Sequence, residues 1–267
     1  MSNPLALHTW TLDTTPLADT LAIARRAGWD AVELRRVDFL RAREAGKSDD
    51  DVLGAVRGSG LAVACVGVEM GWLHAEGAER ARLLEVFAES CRAAAALGCP
   101  RVMSAVGPGE GAASAERVRE VAAIAQAHGV RLAFEFSYSA AQLNTLARMR
   151  ELVVRAGHPG CGLLLDTYHI HRSGGSARDV EDVTPDEIVY VQFSDVPSGT
   201  LDPKNALNRL PAGQGVAPIR ELFAAFAAKG YRGPLSYEAP NPAAWARPAE
   251  DVAREALAAA RSVLPSP

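Results

Sequence analysis

The chain lacks several features that would tie it to a common class of partner. Basic runs are absent: lysine and arginine number 28 against 32 acidic residues, for a formal net charge of −4, so no nucleic acid and no anionic membrane is expected as partner. No apolar run approaches membrane-spanning length, and the start "MSNPLALHTW" has no basic segment leading into a long apolar one, so a cytoplasmic location is expected. Cys65, Cys91, Cys99 and Cys161 have no CxxC spacing for zinc or a redox dithiol and read as small buried hydrophobes. No glycine-rich phosphate turn follows the first apolar run, "LALHTWTL". The glycine cluster "VGPGEG" at 106–111 lacks both the Walker lysine and the GxGxxG spacing, and reads as a loop.

What the chain does have is alternation. Its 267 residues are 48% hydrophobic, enough for an ample core. Short β-branched or apolar runs alternate with longer stretches of helical period, eight times from end to end. The expected strands are 5–12, 31–35, 61–70, 101–106, 131–137, 161–169, 188–195 and 234–239. Gly28, Gly98, Gly129 and Gly230 each follow an expected helix and precede a strand, where a left-handed residue caps the helix. Eight βα units of this size most simply close into an α/β fold of the (β/α)8 TIM-barrel type, one domain over residues 1–267. An open doubly wound sheet is the alternative, disfavoured by the missing phosphate turn.

Barrel chemistry belongs at the C-terminal strand ends, where inward side chains alternate with outward ones. That parity points Ala133 and Glu135 inward on strand five, Gly162, Leu164 and Asp166 on strand six, Tyr190 and Gln192 on strand seven, and Ser236 and Glu238 on strand eight. Four successive strands therefore end in an oxygen donor. Three buried carboxylates without counter-charge would repel one another, and no lysine or arginine holds a matching inward position on these four strands. One divalent cation bound by Glu135, Asp166, Gln192 and Glu238 resolves the conflict; the all-oxygen set suits magnesium, manganese or cobalt, with zinc less favoured. The alternative is an internal polar network satisfied by side chains from strands one to four, or by protonation.

The set Glu135 in "LAFEF", Asp166 and His169 in "LLLDTYH", Gln192 and Asp195 in "VQFSD" and Glu238 in "LSYEA" resembles the xylose-isomerase-like TIM-barrel superfamily, the sugar phosphate isomerases/epimerases, over nearly the whole chain. The resemblance implies one catalytic divalent metal on those four ligands, as in ketose 3-epimerases, hydroxypyruvate isomerases and 3-dehydroshikimate dehydratases. The epimerases usually have histidine where Gln192 stands, so glutamine looks more like the other two branches. The implied substrate is a small polyhydroxy ketone, with Glu135 and Glu238 as the acid/base pair. Proton abstraction beside the carbonyl gives an enediolate, whose fate separates isomerase or epimerase from dehydratase, the alternative activity.

His169, matching the family's DxxH, is expected to hydrogen-bond a substrate oxygen or shuttle a proton, whereas His171 and Arg172 read as solvated rim residues. The long connection "VPSGTLDPKNALNRLPAGQG" carries Arg209, which resembles a substrate-holding arginine of the dehydroshikimate dehydratases. His8 and Glu33 on strands one and two, and Glu69 and Trp72 near the end of strand three, either line the substrate pocket or are hydrogen-bonded barrel residues. Trp72 and Trp245, read as exposed, are compatible with a homo-oligomer paired through helices and rim loops. A three-zinc apurinic-site nuclease is disfavoured because only His169 of six histidines fits a ligand-like motif. A non-catalytic sugar-binding barrel is the stronger rival.

Overall fold

The computed structural model describes residues 3–107, 113–202 and 205–264. Its strands are β1 Leu5–His8, β2 Ala31–Leu34, β3 Ala62–Gly67, β4 Arg101–Ala105, β5 Arg131–Glu135, β6 Cys161–Asp166, β7 Ile188–Phe193 and β8 Leu235–Tyr237. They form a closed barrel in sequence order, with β1 pairing in parallel with both β2 and β8. Around it run α1 Leu17–Ala27, α2 Arg36–Glu44, α3 Asp49–Ser59, α4 Gly77–Ala96, α5 Ala115–Ala127, α6 Leu146–Ala156, α7 Thr167–Arg172, α8 Ile219–Ala228, α9 Pro242–Trp245 and α10 Ala249–Val263. Of the glycine cluster at 106–111, residues 108–111 lie outside the described residues.

Two cores sit on opposite faces of the strands. The larger fills the space between strands and helices and holds three of the four free, buried cysteines, Cys91, Cys99 and Cys161. The smaller fills the barrel and is built largely of short side chains, Ala6, Ala31, Ala64, Cys65 and Ala133, with Leu164 and Tyr190 supplying the bulk. Gly162 belongs to the same economy of space, since a Cβ there would lie 2.6 Å from Val189 Cγ2. The joint glycines take the expected left-handed conformation, with φ of 92° at Gly28 and 75° at Gly230.

The strands stop earlier than their apolar runs. The run at 5–12 ends as a strand at His8, whose Nδ1 accepts the Trp10 N–H and starts a 3-10 turn over Thr9–Leu12. The run at 161–169 ends at Asp166, whose Oδ1 accepts the Tyr168 N–H at 2.9 Å and caps α7. In both places a polar side chain at the strand end takes the backbone N–H two residues on, and the chain turns. No helix among the described residues is long and apolar enough to cross a membrane.

Candidate metal and substrate site

Glu135 closes β5 and Asp166 closes β6. Gln192 pairs with Asp166 in the β6–β7 register and with Ser236 in the β7–β8 register. Glu238 stands two residues beyond Ser236 and so points to the same side. None of the four is more than 6% exposed, so water solvates none of them well.

Counter-charge comes from outside the strands. Arg209, on the connection between β7 and α8, donates from Nη1 to Asp166 Oδ2 and to Glu238 Oε2, both at 3.0 Å. Its guanidinium also lies 4.1 Å from the centre of the Tyr168 ring. Strand parity finds no lysine or arginine at a matching inward position on these four strands, and the counter-charge enters instead from the connection, where one buried arginine supplies part of it.

Asp195 holds this connection in place. Its backbone exchanges both hydrogen bonds with Leu210, next to Arg209. Its carboxylate accepts four backbone N–H groups, from Val196, Gly213, Gly215 and Ala217, at 2.8–2.9 Å. Gly215 has to be glycine here, because a Cβ would fall 2.2 Å from Val196 O and 2.5 Å from Asp195 Oδ1.

Two buried histidines face the carboxylates in the same way. His169 Nδ1 accepts the Tyr138 N–H at 3.4 Å, and Nε2 lies 3.7 Å from Glu135 Oε1 and 3.8 Å from Asp166 Oδ2. His8 Nδ1 accepts the Trp10 N–H at 3.0 Å, and Nε2 lies 3.5 Å from Glu238 Oε1 and 3.7 Å from Glu33 Oε1. A neutral ring whose Nδ1 is an acceptor carries its proton on Nε2. Burial, with Arg209 and Arg172 nearby, pushes His169 well below the usual imidazole value. Burial likewise lowers His8, to about 4. Both rings are therefore neutral N–H donors aimed at acid groups.

The carboxylates divide by neighbour. Burial, then the charges of Glu238 and Asp166, raise Glu135 well above its usual value. Burial raises Asp166 to about 6 against the pull of Arg209. At Glu238 burial is outweighed by Arg209 and His8, and its acid lies below the usual value. Glu33 is fully buried, accepts Gln192 Nε2 at 2.9 Å and Tyr190 Oη at 3.0 Å, and is raised by burial to about 8.

The donor set fits a hard cation. Glu135 Oε1 and Gln192 Oε1 are buried and have no hydrogen-bond partner among the described residues, a condition that costs about 1–3 kcal/mol per group unless something takes up the lone pairs. Among the described residues, Glu135, Asp166 and His169 also bring one ligand atom each within 4.8 Å of one another. The third of these is a weaker ligand as placed, because its Nε2 carries the proton while Nδ1 is engaged.

Some expected residues sit elsewhere. Trp72 is not exposed: it is 1% accessible, packs on Phe87 and Phe134, and donates Nε1 to Ser104 Oγ. Trp245 is half-buried and donates to Trp10 O. Glu69 pairs with Arg82 on the surface. Arg172 is no solvated rim residue, since its guanidinium lies 4.1 Å from the Tyr138 ring centre and donates to Tyr168 Oη and to the carbonyl of Asp202. Tyr138 and Tyr168 both donate to Asn205 O, so these three side chains tie α7 to the connection that carries Arg209. The one trace of this in the sequence is the spacing of Tyr168 and Arg172, one helical turn apart.

Fold and site together define a (β/α)8 barrel with a buried, oxygen-rich acidic centre at its C-terminal mouth. The chain belongs to the xylose isomerase-like TIM barrel family, whose model matches residues 21–263. It is similar to the 3-dehydroshikimate dehydratase of Pseudomonas aeruginosa, 34% identical over 135 residues that cover 50% of this chain and 21% of that protein. It is also similar to the inosose isomerase of Bacillus licheniformis, 25% identical over 146 residues, 54% of this chain and 52% of that one. The matched segments thus span only part of either relative. The crystal structure of the IolI protein with a binding zinc atom superposes with a TM-score of 0.87 over 98% of both chains at 20% identity, a likeness of fold.

Proposed function

We propose that this protein is a divalent-metal-dependent isomerase or epimerase of a small sugar or polyol ketone, acting by proton abstraction beside the carbonyl through an enediolate. The observation that carries the reading is the convergence of Glu135, Asp166, Gln192 and Glu238 with two buried oxygens left unpartnered. These four residues would hold the cation, magnesium, manganese or cobalt by ligand chemistry, with zinc kept in the panel because the IolI crystal contains it. Bound there, the ion would supply Lewis acidity to a substrate carbonyl and its neighbouring hydroxyl.

The chain's own groups divide the remaining work. Glu135 and Glu238 stand three strands apart on an eight-strand ring, so a substrate seated between them meets one carboxyl on each side. One takes the α-proton, and the other returns a proton to the opposite face or to the adjacent carbon. His169, protonated on Nε2, donates to a substrate oxygen rather than serving as base. Arg209 holds Glu238 ionised and orients it together with Asp166.

A second reading is a dehydratase of the 3-dehydroshikimate type, in which the same α-proton abstraction expels a β-hydroxyl. The 34% identity to the Pseudomonas enzyme favours it. One experiment separates these readings: metal-loaded protein and Glu238→Gln are incubated in D₂O with ketoses, inososes, hydroxypyruvate and 3-dehydroshikimate. Deuterium beside the carbonyl with wild type and not with the variant is expected, and the product distinguishes isomer from dehydration product. Metal uptake with no exchange and no product on any compound would sink both and leave a sugar-binding barrel.

A further inference from the structure

A glutamine can serve a cation only through its oxygen, yet its amide has two ends of nearly equal shape. Something has to decide which end faces the site. We infer that Glu33 is the positioning residue that decides it, fixing the amide of Gln192 so that Oε1 faces the metal. The inference rests on the metal reading above and deepens it.

Gln192 and Glu33 are both fully buried, and they meet across the inside of the barrel from β7 and β2. Glu33 Oε1 accepts Gln192 Nε2 at 2.9 Å, and Glu33 Oε2 accepts Tyr190 Oη at 3.0 Å. Oε2 meets the tyrosine hydroxyl, which can donate to an ionised Glu33 or accept the proton of the neutral acid, so in either state Oε1 is left as an acceptor, and an acceptor can receive only the NH₂ end of the amide. The oxygen must then point the other way, and Gln192 Oε1 is the end without a partner. Turning the amide over would set two acceptor oxygens against each other at Glu33 and aim N–H groups at the cation. The short side chains Ala6, Ala31, Ala64 and Ala133 leave the interior open enough for Glu33 to cross it.

Of the two expectations for Glu33, a pocket-lining residue or a hydrogen-bonded barrel residue, this placement follows the second. Both its oxygens are occupied and none of its surface is accessible. The ligand is thus oriented before any metal arrives, by a partner that would not touch the ion.

The test reads metal affinity and amide behaviour, with no dependence on turnover. Mn²⁺ is titrated by calorimetry into metal-free wild type and Glu33→Gln, whose new amide can offer Gln192 either a donor or an acceptor. Affinity is expected to fall about 10- to 100-fold, the usual loss on removing such a partner, while the melting temperature stays within a few degrees. Separately, the side-chain NH₂ of Gln192 in wild type, assigned by its disappearance in Gln192→Glu, is followed by ¹⁵N NMR with and without Mg²⁺. Slow solvent exchange in both states is expected.

Wild-type Mn²⁺ binding with Glu33→Gln within twofold of it would overturn the positioning role and leave the metal site standing. No Mn²⁺ binding by wild type would bring down both. Should Glu33→Gln not fold, the NMR experiment decides alone: an NH₂ group that exchanges freely, or rearranges when Mg²⁺ binds, refutes the inference.

Discussion

Ala105 of β4 and Glu135 of β5 stand opposite each other in one register, a methyl group beside a buried carboxylate. The contrast extends around the ring. From β5 to β8 the strand ends carry Glu135, Asp166, Gln192 and Glu238. From β3 to β4 they carry Gly67, close against Leu34 O, and Ser104, whose hydroxyl is spent on Trp72. Each half has the same parallel pairing and the same kind of helical cover, so the backbone does not set the difference. At the β5–β8 strand ends the buried oxygens Glu135 Oε1 and Gln192 Oε1 have no partner among the described residues, whereas the Ser104 hydroxyl at the end of β4 is paired internally. Only the first half is equipped to act on something else.

Substitution should separate the two halves most sharply at Glu135 and Ser104. Glu135→Gln is expected to lower kcat/KM by about 10²- to 10⁴-fold, as for loss of a positioned acid or base, with little change in melting temperature. Ser104→Ala should do the reverse: activity within about twofold of wild type, and a stability loss of about 1–3 kcal/mol from the orphaned Trp72 N–H, read by urea denaturation. An inactive but stable Ser104→Ala would break the division of labour between the halves.

The four oxygen-bearing strand ends were legible because side chains alternate with a period of two and barrel strands are apolar on both faces, so a polar residue at an inward position stands out. The left-handed glycines after α1, α4, α5 and α8 were legible for a similarly local reason. Arg209 could be noticed, but its reach could not, because the connection that carries it has no periodicity to say which side chain turns inward. The same holds for Asp195: the sequence shows an acid just past a strand and some glycines 18 to 20 residues on, and only folding shows that one receives the N–H groups of the others. The burial of Trp72 is not legible because residues beyond the end of β3 have no strand parity. The placement of Arg172 is not legible because nothing in the sequence past Asp166 announces the short helix that brings it back over Tyr168.

The comparison sharpens at Asp195, which belongs to the acting half but touches no site oxygen. Asp195→Ala leaves four backbone N–H groups of the Arg209 connection without their acceptor, and is expected to cost at least about 3 kcal/mol. Because Arg209 loses its anchor, kcat/KM should also fall, by more than the loss of folded fraction explains. Asp195→Asn, which keeps one acceptor oxygen, should lie between. Wild-type kcat/KM in folded Asp195→Ala would show that the arginine is held by its carboxylate partners alone.

His8 is where the quieter half reaches the site, and it makes the smallest prediction. Its value is lowered by burial from 6.5 to about 4 in the folded protein. The unfolded chain therefore binds a proton between those two values that the folded chain refuses. The stability tied to a neutral His8 is fully present above pH 6.5 and is lost as pH falls toward 4. Over that window the single group should remove about 2 to 3 kcal/mol, at roughly 1.36 kcal/mol per unit. Urea denaturation of metal-free protein at pH 7, 6, 5 and 4 measures this, with His8→Gln as the control whose profile should be flatter by that amount. The carboxylates add their own slopes, which is why the difference between the two proteins, and not either curve, carries the result. Parallel curves would mean that His8 takes up its proton in the folded state, paired with Glu238 at 3.5 Å, and the quieter half would then contribute a charge to the site after all.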